Sequence, residues 1–99
     1  MKVNINSVHF KADRKLEDFI QQKIDKLTSH YDEILAGEVH LKLDNNGEPE
    51  NKIAEIRLTV RGSDLYAKKQ SKSFEEATDT AVEALRRQLK KYKEKIRSK

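Results

Sequence analysis

KIAEIRLTVRGSDLYAKKQSKSFEEATDTAVEALRRQLKKYKEKI, residues 52–96, changes its hydrophobic period at Ser73, and that change decides the fold. Before Ser73 the period is two. Ala54, Ile56, Leu58 and Val60 alternate with polar residues, Gly62-Ser63 turns the chain, and Leu65 and Ala67 resume the alternation. This pattern predicts two antiparallel strands, each with one buried face. After Ser73 the period is helical. At about 100° per residue, Phe74, Thr78, Ala81, Val82, Leu85, Leu89, Tyr92 and Ile96 share a stripe roughly a third of the circumference wide. Ser73 and Glu76 fit a capping box at its start, in which hydroxyl and carboxylate satisfy free N–H groups reciprocally.

The rest of the chain extends this pattern. In MKVNINSV, residues 1–8, Val3 and Ile5 alternate as in a half-buried strand. Asp13 can cap a helix, and Leu16, Phe19, Ile20, Ile24, Leu27 and Tyr31 follow at helical spacing, with Gly37 just past its expected end. Val39, Leu41 and Leu43 alternate in VHLKLD, and NNGEPEN, which holds the single Pro, reads as a loop. The order is β-α-β-β-β-α. A strand–helix–strand unit favours parallel pairing through a right-handed crossover, and the short links that follow favour antiparallel neighbours. The expected fold class is α+β: a four-stranded mixed sheet with two helices packed on one face, in one domain over residues 1–99.

Composition narrows the function. The 99 residues contain no Cys, which removes disulfides, thiolate metal sites and a thiol nucleophile. No apolar run approaches a membrane span, and no secretory leader is evident, so a soluble cytoplasmic protein is expected. His9, His30 and His40 are scattered without ligand spacing, and Asp44, Asn45, Asn46, Gly47 and Glu48 lack the spacing and closing Glu of a calcium loop. Glu75 and Glu76 are adjacent on a helix and point apart. Neither an enzyme, a metal site, a cofactor nor a small-molecule substrate is expected.

The charge is distributed unevenly. The net formal charge is +4, yet the final stretch RRQLKKYKEKIRSK, residues 86–99, holds eight Lys or Arg against Glu94 alone. The remaining 85 residues are mildly acidic. Leu89, Tyr92 and Ile96 stay in phase with Phe74, so this basic stretch continues the amphipathic helix. Arg87, Lys91 and Lys95 form a row on one flank of the stripe, and Arg86, Lys90, Lys93 and Arg97 form another on the opposite flank. Like charges at this spacing repel, and the helix C-terminal dipole accounts for two or three of them. The alternatives are a solvated face, an anionic membrane surface and a nucleic acid. Ala77, Thr78 and Ala81 suit close packing on a sheet better than lipid insertion, and cations along a rigid rod suit phosphates.

Lys23 and Lys26, on the first helix, either add to this field or, for Lys23, bury a stem and carry the head to water. Lys68, Lys69 and Lys72 are either solvated or reach RNA. Tyr66 and Tyr92 could each stack on bases, although Tyr92 is in phase with the core.

SKSFEEATDTAVEALRRQLKKYKEK, residues 71–95, with the preceding GSDLYA hairpin and the β-α-β-β-β-α order, resembles the ribosome hibernation promoting factors, also called ribosome-associated inhibitors or ribosomal subunit interface proteins. The resemblance covers essentially the whole chain. Its most specific part is the run Arg87, Gln88, Leu89, Lys91, Lys93 and Lys95 with Asp79 upstream, and Lys23 and Lys26 of QKIDKL match as well. It implies a fold similar to double-stranded RNA-binding domains. It also implies an rRNA-binding translation inhibitor of stress and stationary phase, a monomer off the ribosome. Such a factor sits on the small ribosomal subunit in the path of tRNA and mRNA and silences idle ribosomes. The family's usual basic residue one turn before Arg87 is replaced by Ala84, which implies that one phosphate grip is missing or is supplied by Arg86 instead. The chain stops after the second helix, as in the short type. The other function carried forward is a generic double-stranded RNA-binding module.

Overall fold

The computed structural model describes residues 3–8, 10–44, 47 and 49–97, with Ile96 and Arg97 described in backbone only. The expected elements are all present: β1 Asn4–Ser7, α1 Arg14–Thr28, β2 Ile34–Leu43, β3 Lys52–Val60, β4 Ser63–Ser71 and α2 Phe74–Arg97. The sheet order is β1-β2-β3-β4, with β1 parallel to β2 and the other two pairs antiparallel. The crossover through α1 makes the first pair parallel. Arg61 and Gly62 make the two-residue link between the paired residues Val60 and Ser63. Gly62 sits at φ 76°, a conformation that costs other residues a steric penalty. The turn is thus one residue earlier than Gly62-Ser63, and Ser63 already belongs to β4.

Both helices lie on one face of the sheet. Val39, Ile56 and Ala67 are register partners across β2, β3 and β4, and all three are buried there. They share one core with Ile20, Ile24 and Leu27 of α1 and Ala77, Ala81, Leu85 and Leu89 of α2. α2 rides over β3 and β4 with α1 beside it. Three contacts show the two helical segments running side by side in the same direction. Phe10, just before α1, stacks on Phe74 at 4.9 Å, Lys23 meets Asp79, and Tyr31, just after α1, meets Lys93.

Caps set the helix limits. The Asp13 carboxylate accepts from the Leu16 N–H at 2.8 Å, and the Ser73 hydroxyl accepts from the Glu76 N–H at 3.1 Å, the hydroxyl half of the capping box. The α2 stripe is buried or half-buried from Phe74 to Tyr92, while the Ile96 and Arg97 side chains, together with His9, Asn45, Asn46 and Glu48, lie outside the described residues. Tyr92 packs against the core and its hydroxyl donates to the Arg61 carbonyl at 2.8 Å, tying α2 to the β3–β4 turn. Gln88 donates to the Tyr66 carbonyl at 2.8 Å, satisfying an acceptor of edge strand β4.

The first helix ends sooner than its apolar spacing suggests. The Ser29 N–H and the Thr28 hydroxyl both donate to the Asp25 carbonyl, and the Ser29 hydroxyl donates to the Lys26 carbonyl at 2.7 Å. These hydroxyls satisfy the last-turn carbonyls locally and close the helix at Thr28. Tyr31 therefore lies in the connection, and Gly37 is a β2 residue opposite Leu58. Leu43, at the end of β2, is 38% exposed and leaves the buried alternation to Val39 and Leu41.

One core residue is at odds with its surroundings. Thr78 is fully buried, and its hydroxyl has no hydrogen-bond partner among the described residues. Thr78→Val keeps the shape and removes that buried hydroxyl, whose burial costs roughly 1–3 kcal/mol. The expected outcome is a melting temperature raised by about 4–8 °C for each kcal/mol gained. Thermal unfolding measures it, and an unchanged or lowered temperature would show that the hydroxyl is satisfied.

Candidate nucleic-acid interface

With Leu85 and Leu89 pinned to the sheet, Arg87 between them projects outward, and Arg86 and Gln88 lie on the two flanks. Arg87, Lys90, Lys91 and Lys95 are exposed, and Arg86 and Lys93 are half-buried on the flank that faces the end of α1. Arg86, Arg87, Lys90 and Lys93 converge with His30 and Tyr31 on a recess of about 510 Å³. Two of its cations are held in place. Arg86 Nε is 3.4 Å from Glu83 Oε1, and Lys93 Nζ stands 5.5 Å from the centre of the Tyr31 ring, a cation–π distance. Among the described residues, Arg87, Lys90 and Lys91 form no ion pair within 4.0 Å. Repulsion within this cluster is relieved by any polyanion that threads it.

The α1 lysines differ from each other. Lys23 Nζ is 2.9 Å from Asp79 Oδ1, with the two side chains 40% and 51% exposed, and lies 5.4 Å over the Phe19 ring. Its head is shared with a carboxylate, so a phosphate must compete with Asp79 for it. Lys26 is exposed in the last turn of α1. All the acids of α2 but Glu94 precede its bases: Glu75, Glu76, Asp79 and Glu83 occupy the N-terminal half and the cations the C-terminal half. The positive field is therefore concentrated at the end of the helix pair where the recess lies.

The opposite face of the sheet is electrically balanced. Glu55, its side chain 14% exposed, lies 3.3 Å from Lys42 and 3.7 Å from Lys68, and Glu38 lies 2.8 Å from His40. Tyr66 is 45% exposed there, with Arg57 6.0 Å from its ring centre. Lys68 is thus engaged with Glu55, Lys69 is half-buried and Lys72 is exposed. Among the described residues no three His, Asp or Glu side chains are grouped to hold a metal ion, and no helix is long and apolar enough to cross a membrane.

Spacing alone assigns Tyr31 to the apolar stripe of the first helix, and His30 stands out in the sequence only for lacking ligand spacing. The signal for their position is local: the run Thr28-Ser29 can close a helix through its hydroxyls, which releases the next two residues into the connection.

The chain is 32% identical over 98 residues to a ribosome hibernation promoting factor of Pseudomonas putida, covering 99% of this chain and 92% of that one. Two solved structures share the fold. A ribosomal subunit interface protein from Coxiella burnetii superposes with a TM-score of 0.84 at 20% identity, over 94% of this chain and 98% of that one. The N-terminal domain of Thermus thermophilus Protein Y gives 0.79 at 22% identity, over 93% and 99%. At these identities the two structures speak to the fold alone. The family model described as Sigma 54 modulation protein / S30EA ribosomal protein matches residues 3–97, and the chain belongs to that family.

Proposed function

We propose that this protein is a ribosome hibernation factor that binds the rRNA of the small ribosomal subunit and blocks the tRNA and mRNA path. The observation that carries the reading is the convergence of Arg86, Arg87, Lys90 and Lys93 beside the exposed Lys91 and Lys95, on a domain whose other sheet face is charge-balanced. The relatives' name supports the ribosome as the polyanion. Arg87 can grip a phosphate through two donors, and Lys90 and Lys91 act as mobile point charges. Lys26 adds a cation from α1, and Lys23 joins by exchanging Asp79 for phosphate. The mechanism is occlusion: a folded domain of 48 × 24 × 18 Å, held by phosphate contacts, fills space that tRNA and mRNA need. It acts in the cytoplasm of idle, stressed or stationary-phase cells, as a monomer off the ribosome and without a cofactor.

Excess initiator tRNA, bound to small subunits first, is expected to reduce co-sedimentation of the protein with those subunits. In a purified translation system, inhibition is expected to follow the protein's occupancy. Full simultaneous binding of protein and tRNA to one subunit would rule out occlusion. Equal capture by the same mass of plain duplex RNA would favour a generic double-stranded RNA-binding module.

A further inference from the structure

We infer that the recess between the end of α1 and the basic half of α2 receives one unpaired nucleotide, its base against Tyr31 and its phosphate among Arg86, Lys90 and Lys93. This rests on the rRNA-binding reading and adds which RNA feature is gripped. A regular duplex offers phosphates but keeps its bases stacked inside, so phosphate contacts alone need only a row of cations. Here the cations also surround an aromatic ring. Tyr31 packs part of its ring on the core, and Lys93 Nζ stands 5.5 Å from the ring centre, so that part of the ring looks into the recess. Such a ring is a stacking surface for an extruded base, and single-stranded bases are recognised in this way.

The geometry also distinguishes Tyr31 from the other tyrosines. Tyr92 spends its hydroxyl on the Arg61 carbonyl. Tyr66 lies on the open sheet face, where Glu55 engages Lys42 and Lys68, Glu38 also lines the depression, and Arg57 is the one cation beside the ring. At Tyr31 a ring shares one depression with four cations of a second element, Arg86, Arg87, Lys90 and Lys93, and with no acid, whereas the depression at Tyr66 is also lined by Glu38 and Glu55. The recess of about 510 Å³ falls within the range of small-ligand sites, roughly 300–1,000 Å³. When a base enters, the Lys93 head moves from the ring to the incoming phosphate. Arg86, oriented by Glu83, already points along the same flank.

The test compares two RNA hairpins of one sequence. One is fully paired, and the other carries a fluorescent adenine analogue in a single-nucleotide bulge. The full chain is expected to bind the bulged hairpin about tenfold more tightly, with the analogue's emission quenched by stacking. Tyr31→Leu keeps an apolar side chain against the core, and melting curves verify its fold. It is expected to bind both hairpins as the native chain binds the paired one, without quenching. Tyr66→Leu is expected to keep the full preference. Excess ATP is expected to leave the bulged hairpin bound, because flanking phosphates add contacts to Arg87 and Lys91. Displacement by ATP would overturn the RNA assignment and give the recess to a free nucleotide. Equal binding of the two hairpins, or a preference that survives Tyr31→Leu, would overturn the inference. Either result leaves the rRNA reading standing if small subunits still bind, whereas loss of subunit binding would sink that reading itself.

Discussion

Leu85→Ala is expected to cost about 2–5 kcal/mol of stability, the range for emptying a fully buried leucine site. Leu85 is 0% exposed and sits in the core shared by the sheet and both helices. Its neighbours cannot collapse freely into the gap, because Ala77 and Ala81 hold α2 against the sheet with little side-chain volume to rearrange. Arg87, two residues on, is rotated by about 200° and exposed, so Arg87→Ala is expected to cost less than about 0.5 kcal/mol. Denaturant titration of both variants reads the difference. Equal losses would mean that α2 is rotated from the phase described, and with it every residue of the basic surface.

The second large effect is on binding. The cations at the recess end of the helix pair, aided by Lys23 and Lys26, are expected to neutralise about five phosphates, each contributing roughly 0.7–0.9 to the slope of log K against log salt. That gives a slope of about −3.5 to −4.5, bracketed by the single-strand and duplex values. Fourfold more salt then weakens small-subunit binding by about two to three decades. Fewer phosphates than the eight candidate side chains are expected, since Lys23 and Arg86 already have acidic partners, Asp79 and Glu83. A slope near zero would leave the basic surface as a solvated helix face and transfer the binding to apolar or hydrogen-bonded contacts.

The fold was legible in the sequence because each element has one buried side and its own period. Alternation at Ala54, Ile56, Leu58 and Val60, and helical spacing from Phe74 to Tyr92, both correspond to buried faces. Asp13 and Ser73 mark helix starts through local chemistry that needs no tertiary information. The end of the first helix was harder to read. Tyr31 keeps helical phase with Leu27, but phase does not show that hydroxyls at Thr28 and Ser29 have closed the last turn. The basic rows were equally legible along one helix. What lies across from them was not, since the Lys23–Asp79 pair and the Lys93–Tyr31 contact depend on the rotation and stagger of α1 against α2. Periodicity within a single helix fixes neither. The charge balance of the open sheet face depends on strand register in the same way, which brings Lys42 and Lys68 to Glu55.

The most direct test of the central claim, that α2 holds the ribosome through its outward cations, is the salt dependence of small-subunit binding for two paired substitutions. Arg87→Ala with Lys91→Ala removes two exposed cations of α2. Lys42→Ala with Lys52→Ala removes the same charge from the sheet, where Glu55 keeps Lys68 as a partner. The first pair is expected to make the slope shallower by about 1.4–1.8, two phosphate equivalents, with an unchanged melting temperature. The second pair is expected to leave the slope as it was. Equal changes from both pairs, or no change from the first, would mean that these cations do not hold the ribosome.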